Sequence, residues 1–297
     1  MDVIVNIIKV TLLSIIEGVT EFLPISSTGH LILANQWIGL DPQGFANAFN
    51  IIIQLGAILS VIVIYWKRLN PWHSEDPRFA QKPKRYAQWN KQTRLYYNVT
   101  HVNPRTMALW LRVVVAVIPS AVVGILFDDV IDEHLMTMPV VTFTLLFYGV
   151  VMIFVESWNA KRKTAQYADP LDFSLQTAFM IGLFQCLALV PGTSRSAATI
   201  IGAMVLGSSR VAAAEFSFFM AIPSMMGATL LKVIKNLGGF TLGQWLLILL
   251  GFVLSFIVAY VVIQKFMAYV QKKDFKVFGY YRIGLSALLL LYMLFGM

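Results

Sequence analysis

Long apolar runs separated by short polar or basic stretches organise this chain. Residues 49–66 (FNIIIQLGAILSVIVIYW), 107–127, 138–155, 211–231 and 244–264 each approach or exceed the roughly 17–25 residues that a membrane-crossing helix needs, and a shorter run follows at about 279–297. The pattern predicts an all-α integral membrane protein, a polytopic helix bundle with about six transmembrane helices.

Two segments do not read as simple spans. Residues 3–38 hold a long apolar arm, the break Pro24-Ile25-Ser26-Ser27-Thr28-Gly29-His30, and a short apolar arm of about nine residues. Residues 174–207 repeat the plan around Pro191-Gly192-Thr193-Ser194-Arg195-Ser196. At 1.5 Å per residue, nine to eleven residues cover only about half of a ~30 Å hydrocarbon core. Each segment is therefore expected to form a re-entrant helix-loop-helix hairpin, with its broken backbone buried in protein or lining a wet cavity. The breaks align as Leu23-Pro24-Ile25-Ser26-Ser27 against Val190-Pro191-Gly192-Thr193-Ser194. Three spans follow each hairpin, and an odd number turns the second half upside down. The expectation is one membrane domain over 1–297 built as an inverted repeat, with repeat one at about 1–156 and repeat two at about 172–297.

Composition agrees with lipid as the solvent. Of 297 residues 58% are hydrophobic and 13% charged, with a mean hydropathy of +0.71, against about 25% charged in a soluble domain. The net charge of +8 raises the question of nucleic acid, but its placement argues for no nucleic-acid partner. Lys67, Arg68, Arg78, Lys82, Lys84, Arg85, Lys91, Arg94 and Arg105 form one cluster, Lys161, Arg162 and Lys163 a second, and Lys265, Lys272, Lys273, Lys276 and Arg282 a third. All fall between spans, where basic residues mark the cytoplasmic side, so 67–106 reads as a basic cytoplasmic loop. The loop carrying Asp128, Asp129, Asp132 and Glu133 then faces outward. Asp2, Lys9 and the lack of a small-residue cleavage site argue against a removable signal peptide. Cys186 is alone, so no internal disulfide forms.

Ionisable groups at membrane depth are costly and mark function. Glu17 and Glu21, His30 and Arg195 gather at the two breaks. The glutamates are four apart, which puts both carboxylates on one helix face. A shared proton or a hard divalent cation would relieve their repulsion, and Mg²⁺ is commonly held by one or two carboxylates together with phosphate oxygens. Alternatively they bond loop amides or pair with Arg195. Arg195, at a helix start, suits an anion, with Gly192 allowing close approach and Thr193, Ser194, Ser196 and Thr199 supplying hydroxyls. Its other reading is a structural arginine that satisfies carbonyls of the opposite hairpin. His30 lies three residues after Ser27 and could activate that hydroxyl or a water, while Ser26, Ser27 and Thr28 also suit helix capping. This inventory fits phosphoryl chemistry, which needs positioning and charge neutralisation. His73, His101 and His134 read as solvated loop residues. Glu215, Asn50 and Gln54 read as packing or supporting hydrogen-bond groups, with a substrate contact as the other reading. A transporter or flippase for a prenyl phosphate remains the competing function, because broken helices and inverted repeats serve transport as well.

The run Glu17-Gly18-Val19-Thr20-Glu21-Phe22-Leu23-Pro24-Ile25-Ser26-Ser27-Thr28-Gly29-His30-Leu31 resembles the first signature of the bacterial undecaprenyl-diphosphatase family, the BacA/UppP type. Pro191-Gly192-Thr193-Ser194-Arg195-Ser196 through Thr199 resembles its second, and Gln54-Leu55-Gly56-Ala57 and Ala214-Glu215-Phe216-Ser217-Phe218 extend the similarity. The resemblance implies hydrolysis of undecaprenyl diphosphate to undecaprenyl phosphate, recycling of the lipid carrier of cell-wall synthesis, and bacitracin resistance. It also implies a multi-pass protein of the bacterial plasma membrane, with membrane lipids around it and a site open to the outer face. A divalent cation, Mg²⁺ first and Ca²⁺ second, would sit on Glu17 and Glu21. Ser27 and His30 match the proposed nucleophile and base, Arg195 the phosphate-binding arginine, and Ser194 and Thr199 supporting hydroxyls. A homo-oligomer is left open. Ala197 stands where the family often has glycine, and the 67–106 loop looks longer than in many members, so nothing about it carries over.

Overall fold

The computed structural model describes residues 3–72, 88, 90–100, 102–162, 164–236 and 239–295. Its main helices are α1 (Val3–Thr20), α2 (Ser27–Ile38), α3 (Gln43–Ile64), α4 (Lys91–Thr100), α5 (Pro104–His134), α6 (Met138–Asn159), α7 (Leu175–Cys186), α8 (Arg195–Val205), α9 (Arg210–Asn236), α10 (Leu242–Val270) and α11 (Lys276–Phe295). Among the described residues no strand forms, and Tyr167 and Ser208 make an isolated parallel bridge. Polar residues start several of these helices. The Ser174 hydroxyl accepts from the Thr177 amide at the head of α7, and Thr241 and Gln244 form a reciprocal capping box at the head of α10.

Apolar side chains cover the outside as well as the core. On α5, Val114, Ile118, Val122 and Ile125 are exposed, and on α10, Leu246, Leu249, Val253, Ile257 and Val261. Their three- and four-residue spacing draws one apolar stripe along each helix. Stripes of this length exceed the isolated apolar patches of a soluble protein, and hydrocarbon is the medium that covers them. The chain is a multi-pass membrane protein.

Six helices among the described residues are long and apolar enough to cross: α1, α3, α5, α6, α10 and α11. Five of them are spans expected from the sequence, and the sixth is α1. α1, expected as the arm of a hairpin, has 18 residues with a mean hydropathy of 1.9. The run at 211–231 lies within α9, a helix of 27 residues. α2 and α8 have 12 and 11 residues, about 18 and 16 Å at 1.5 Å per residue, so neither can cross alone.

Helix pairing places the two breaks together. α1 packs on α2 and α10, while α7 packs on α8 and α5. α3 meets α9, and α6 meets α11. The large core cluster runs through the middle, from Phe22 at the first break to Ala197 and Ile200 at the second and Phe216 and Phe218 on α9. Phe22 and Phe218 stack edge to face at 5.3 Å, an arrangement aromatic pairs favour.

The basic segment is less uniform than expected. Arg78, Lys82, Lys84, Arg85 and Tyr86, with Trp89 and His73, lie outside the described residues. Within the described part the chain makes a helical turn at Trp66–Leu69 and then α4. Arg68 is not a freely solvated charge. It pairs with Asp169 and, at 2.6 Å, with Glu215 at the start of α9.

The closest crossings depend on glycine. A Cβ on Gly18 of α1 would lie 2.9 Å from the Ser255 carbonyl oxygen of α10, and one on Gly182 of α7 would run into the backbone of Ala116 on α5. Gly182→Leu is expected to destabilise the fold by about 1–3 kcal/mol through overpacking. The drop should appear in the melting temperature of micelle-solubilised protein. Gly227→Ala, with open space around it, should leave that temperature unchanged.

Candidate active site

The two breaks share one backbone device. Ser26 has φ 74° and Ser194 φ 73°, the two non-glycine residues with positive φ among those described. Each caps the helix it precedes: the Ser26 hydroxyl accepts from the Gly29 amide at 3.2 Å, and that of Ser194 from the Ala197 amide at 3.3 Å. Left-handed backbone at a residue with a Cβ costs on the order of 1–3 kcal/mol and persists where the surroundings enforce it.

This geometry corrects the alignment of the loops. Ser26, not Ser27, corresponds to Ser194, and the second loop is one residue longer. Gly192 takes up the difference at φ +86°, where a Cβ would meet the Thr144 hydroxyl. Ser27 and Arg195 consequently occupy the same place, the first position of α2 and of α8.

Glu21 joins them. One carboxylate oxygen accepts the Ser27 hydroxyl at 2.6 Å, and the other accepts an Arg195 Nη at 3.3 Å. Arg195 also donates to the Ser217 carbonyl at 2.9 Å. Glu21 and Arg195 are largely buried, with side chains 7% and 15% exposed. Thr199 donates to the Ser217 hydroxyl at 2.6 Å, fastening α8 to α9. The Ser196 hydroxyl reaches the Leu23 carbonyl at 3.0 Å and lies 3.1 Å from Ser194, so the second loop is tied to the first. Of the readings weighed for the glutamates, the pairing with Arg195 is found at Glu21, whose other bond is to a hydroxyl and not to a loop amide.

Glu17 is fully buried, and neither of its oxygens has a hydrogen-bond partner. The Thr193 hydroxyl and the Arg195 Nε are buried without partners too. Buried polar atoms left unsatisfied are uncommon and point to a ligand or ion. No group of three or more His, Cys, Asp or Glu side chains forms a metal cage among the described residues. The donor set at the site is two carboxylates one helical turn apart.

His30 stands elsewhere than expected. Its Nδ1 lies 2.7 Å from the Ser26 carbonyl oxygen and its Nε2 2.7 Å from the Tyr281 hydroxyl. It makes no hydrogen bond to Ser27, whose partner is Glu21. A carbonyl can only accept, so Nδ1 carries the proton, and in the neutral ring Nε2 accepts from Tyr281. The ring therefore braces the first loop against α11.

Ser217, Tyr281, Thr144 and Arg282 were not anticipated as site residues. Arg282, assigned from the sequence to a cytoplasmic basic cluster, is fully buried, and its guanidinium reaches backbone carbonyls of both loops. The signal was present, because Arg282 lies inside the apolar run at 279–297, where a charge is costly. Neither Glu215 nor Asn50 is hydrogen-bonded to the residues of the two breaks. Glu215 pairs with Arg68, and the Asn50 side-chain oxygen is buried without a partner. His134 is exposed at the end of α5, and His101 lies outside the described residues.

A lipid-facing helical bundle that encloses carboxylates, an arginine and hydroxyls between two strained loops is an integral membrane protein equipped for phosphoryl chemistry. The profile described as "Bacitracin resistance protein BacA" matches residues 10–288, and the chain belongs to that family. It is 47% identical to Undecaprenyl-diphosphatase 1 of Clostridioides difficile (strain 630) over 290 residues, covering 97% of each chain. It is 46% identical to the undecaprenyl-diphosphatase of Enterococcus faecalis over 288 residues, again 97% of each. It is 47% identical to that of Lactobacillus delbrueckii subsp. bulgaricus over 285 residues, 95% of each.

The tautomer of His30 is directly measurable. Nitrogen NMR of histidine-labelled protein above the imidazole titration should place the proton on Nδ1, in wild type and in Tyr281→Phe alike. A proton on Nε2 would contradict the described hydrogen bonding.

Proposed function

We propose that this chain hydrolyses undecaprenyl diphosphate to undecaprenyl phosphate and inorganic phosphate. The observation that carries the reading is Glu21 held between the Ser27 hydroxyl and the Arg195 guanidinium, in a chain whose relatives are named undecaprenyl-diphosphatases. Arg195 binds the diphosphate, aided by the amides at the heads of α2 and α8 and by Ser26, Thr193, Ser194, Ser196 and Gly192 around them. Thr199 keeps Arg195 in place through Ser217. Ser27 Oγ attacks the terminal phosphorus while its proton passes to the Glu21 carboxylate, and the anhydride bond breaks with undecaprenyl phosphate leaving. Water then attacks the phosphoserine phosphorus, the bond from phosphorus to Ser27 Oγ breaks, Oγ takes back the proton held by Glu21, and inorganic phosphate leaves with the protons of the water. Glu21 thus takes the part of base that spacing had suggested for His30, and His30 fixes the Ser26 carbonyl from which α2 starts.

Glu17 and Glu21 fit a hard divalent cation, Mg²⁺ or Ca²⁺. The two partnerless oxygens of Glu17 support that fit, and so does the habit of Mg²⁺ of resting on one or two carboxylates plus phosphate oxygens. When bound, the ion neutralises charge on the diphosphate oxygens.

The same reading places the protein in the bacterial plasma membrane with its site open to the outer face, where it returns the lipid carrier to cell-wall synthesis. Bacitracin resistance follows from the family description. The helices form an inverted repeat with two re-entrant hairpins, supported by the exchange of packing partners between halves and by the two matching serine caps. A prenyl-phosphate flippase would need no nucleophile, and the 2.6 Å bond from Ser27 to Glu21 favours hydrolysis.

Purified protein in micelles, where no second compartment exists, should release phosphate from a prenyl diphosphate. Glu21→Gln should lower kcat by about 10²–10⁴-fold, and Tyr281→Phe by less than about tenfold. Equal losses would remove Glu21 from the role of base. Chelation should abolish turnover and Mg²⁺ or Ca²⁺ restore it, with Glu17→Gln needing more cation for half-maximal rate. Activity that survives exhaustive chelation would exclude the cation.

A further inference from the structure

We propose that Arg282 is a positioning residue, holding the two serine-capped loops in one fixed relation so that Ser27 and Arg195 face the same phosphoryl group. This inference rests on the phosphatase reading above.

Arg282 is fully buried and spends all five donors on backbone carbonyls. Nη1 donates to Pro24 of the first loop at 3.3 Å and to Thr193 of the second at 3.0 Å. Nη2 donates to Gly192 at 2.9 Å and to Thr144 at 3.2 Å, and Nε to Leu145 at 3.4 Å. One rigid plane therefore spans both loops and α6. Among the described residues it makes no ion pair, so its position is set by the carbonyls alone. With every donor engaged it is not a phosphate ligand, and its effect passes through the loops it holds.

The loops have few other direct ties. The Ser196 hydroxyl reaches Leu23, and Glu21 bridges Ser27 to Arg195 at the reacting face. Thr144, whose carbonyl Arg282 binds, donates its hydroxyl to Pro191 at 2.7 Å and steadies the second loop from the same side. Lysine cannot replace this arrangement, since three donors radiating from one nitrogen cannot reach five carbonyls spread over a plane. Misplacement of catalytic groups by 1 Å costs about 10²-fold in rate.

The test uses full-length protein in micelles, phosphate release from a prenyl diphosphate, and the variants Arg282→Lys, Arg282→Met, Arg195→Ala and Arg282→Lys/Arg195→Ala. Arg282→Lys should lower kcat by roughly 10–100-fold with KM within about threefold. In the Arg195→Ala background the same change should add less than about threefold, because the relation it fixes, Ser27 to Arg195, has already lost one member. A kcat within threefold of wild type in folded Arg282→Lys and Arg282→Met protein, whatever the melting temperature, overturns the proposal. So does a rise in KM alone, an effect that multiplies fully in the double variant, or failure of both Arg282 variants to yield folded protein. Wild-type protein that releases no phosphate would instead overturn the phosphatase reading itself.

Discussion

Inside hydrocarbon every backbone polar group must find its partner within the protein. That constraint shapes this molecule around its two breaks. The chain interrupts a helix at Pro24 and again at Pro191, freeing carbonyls in a medium with no water to bond them. Arg282 binds three of those loop carbonyls, Thr144 a fourth and Ser196 a fifth. The interruption becomes tolerable because distant stretches of chain supply the missing donors, and the same donors draw the two loops into one site.

The polarity so enclosed is arranged in matching parts. Two serines in left-handed backbone each cap a short helix, and each helix opens with a residue aimed at the shared centre, Ser27 from one side and Arg195 from the other. Glu21 lies between them, largely buried, so its charge acts at close range where little water screens it. Glycine at 18 and 182 lets the helices that carry the loops approach their neighbours closely enough for these contacts to form.

Much of this was legible in the chain. The apolar runs marked a membrane bundle, and the short arms after Pro24 and Pro191 marked two breaks. Glu21 and Arg195 stood out because charge in an apolar run is expensive. Three features are arranged otherwise than linear spacing suggests. Ser27 was set against Ser194, because a linear match counts residues and cannot register the extra one that Gly192 absorbs. The spacing of three offered His30 to Ser27 or to a water, and its ring turns to the Ser26 carbonyl and to Tyr281, a residue 251 positions away. Arg282 was grouped with neighbouring lysines, since nearness in sequence to a basic segment concealed its depth in α11.

The sequence by itself determined the solvent, the helical class, the two breaks and the residue types of the site. Hydropathy and spacing are local properties, and helices in lipid satisfy their own backbone without help from afar. Only the tertiary structure decided which groups meet: Ser27 with Glu21, His30 with Tyr281, Arg282 with both loops. Those pairings depend on how helices far apart in the chain cross. The crossings are set by packing at positions such as Gly18 and Gly182, which no single stretch of sequence specifies alone.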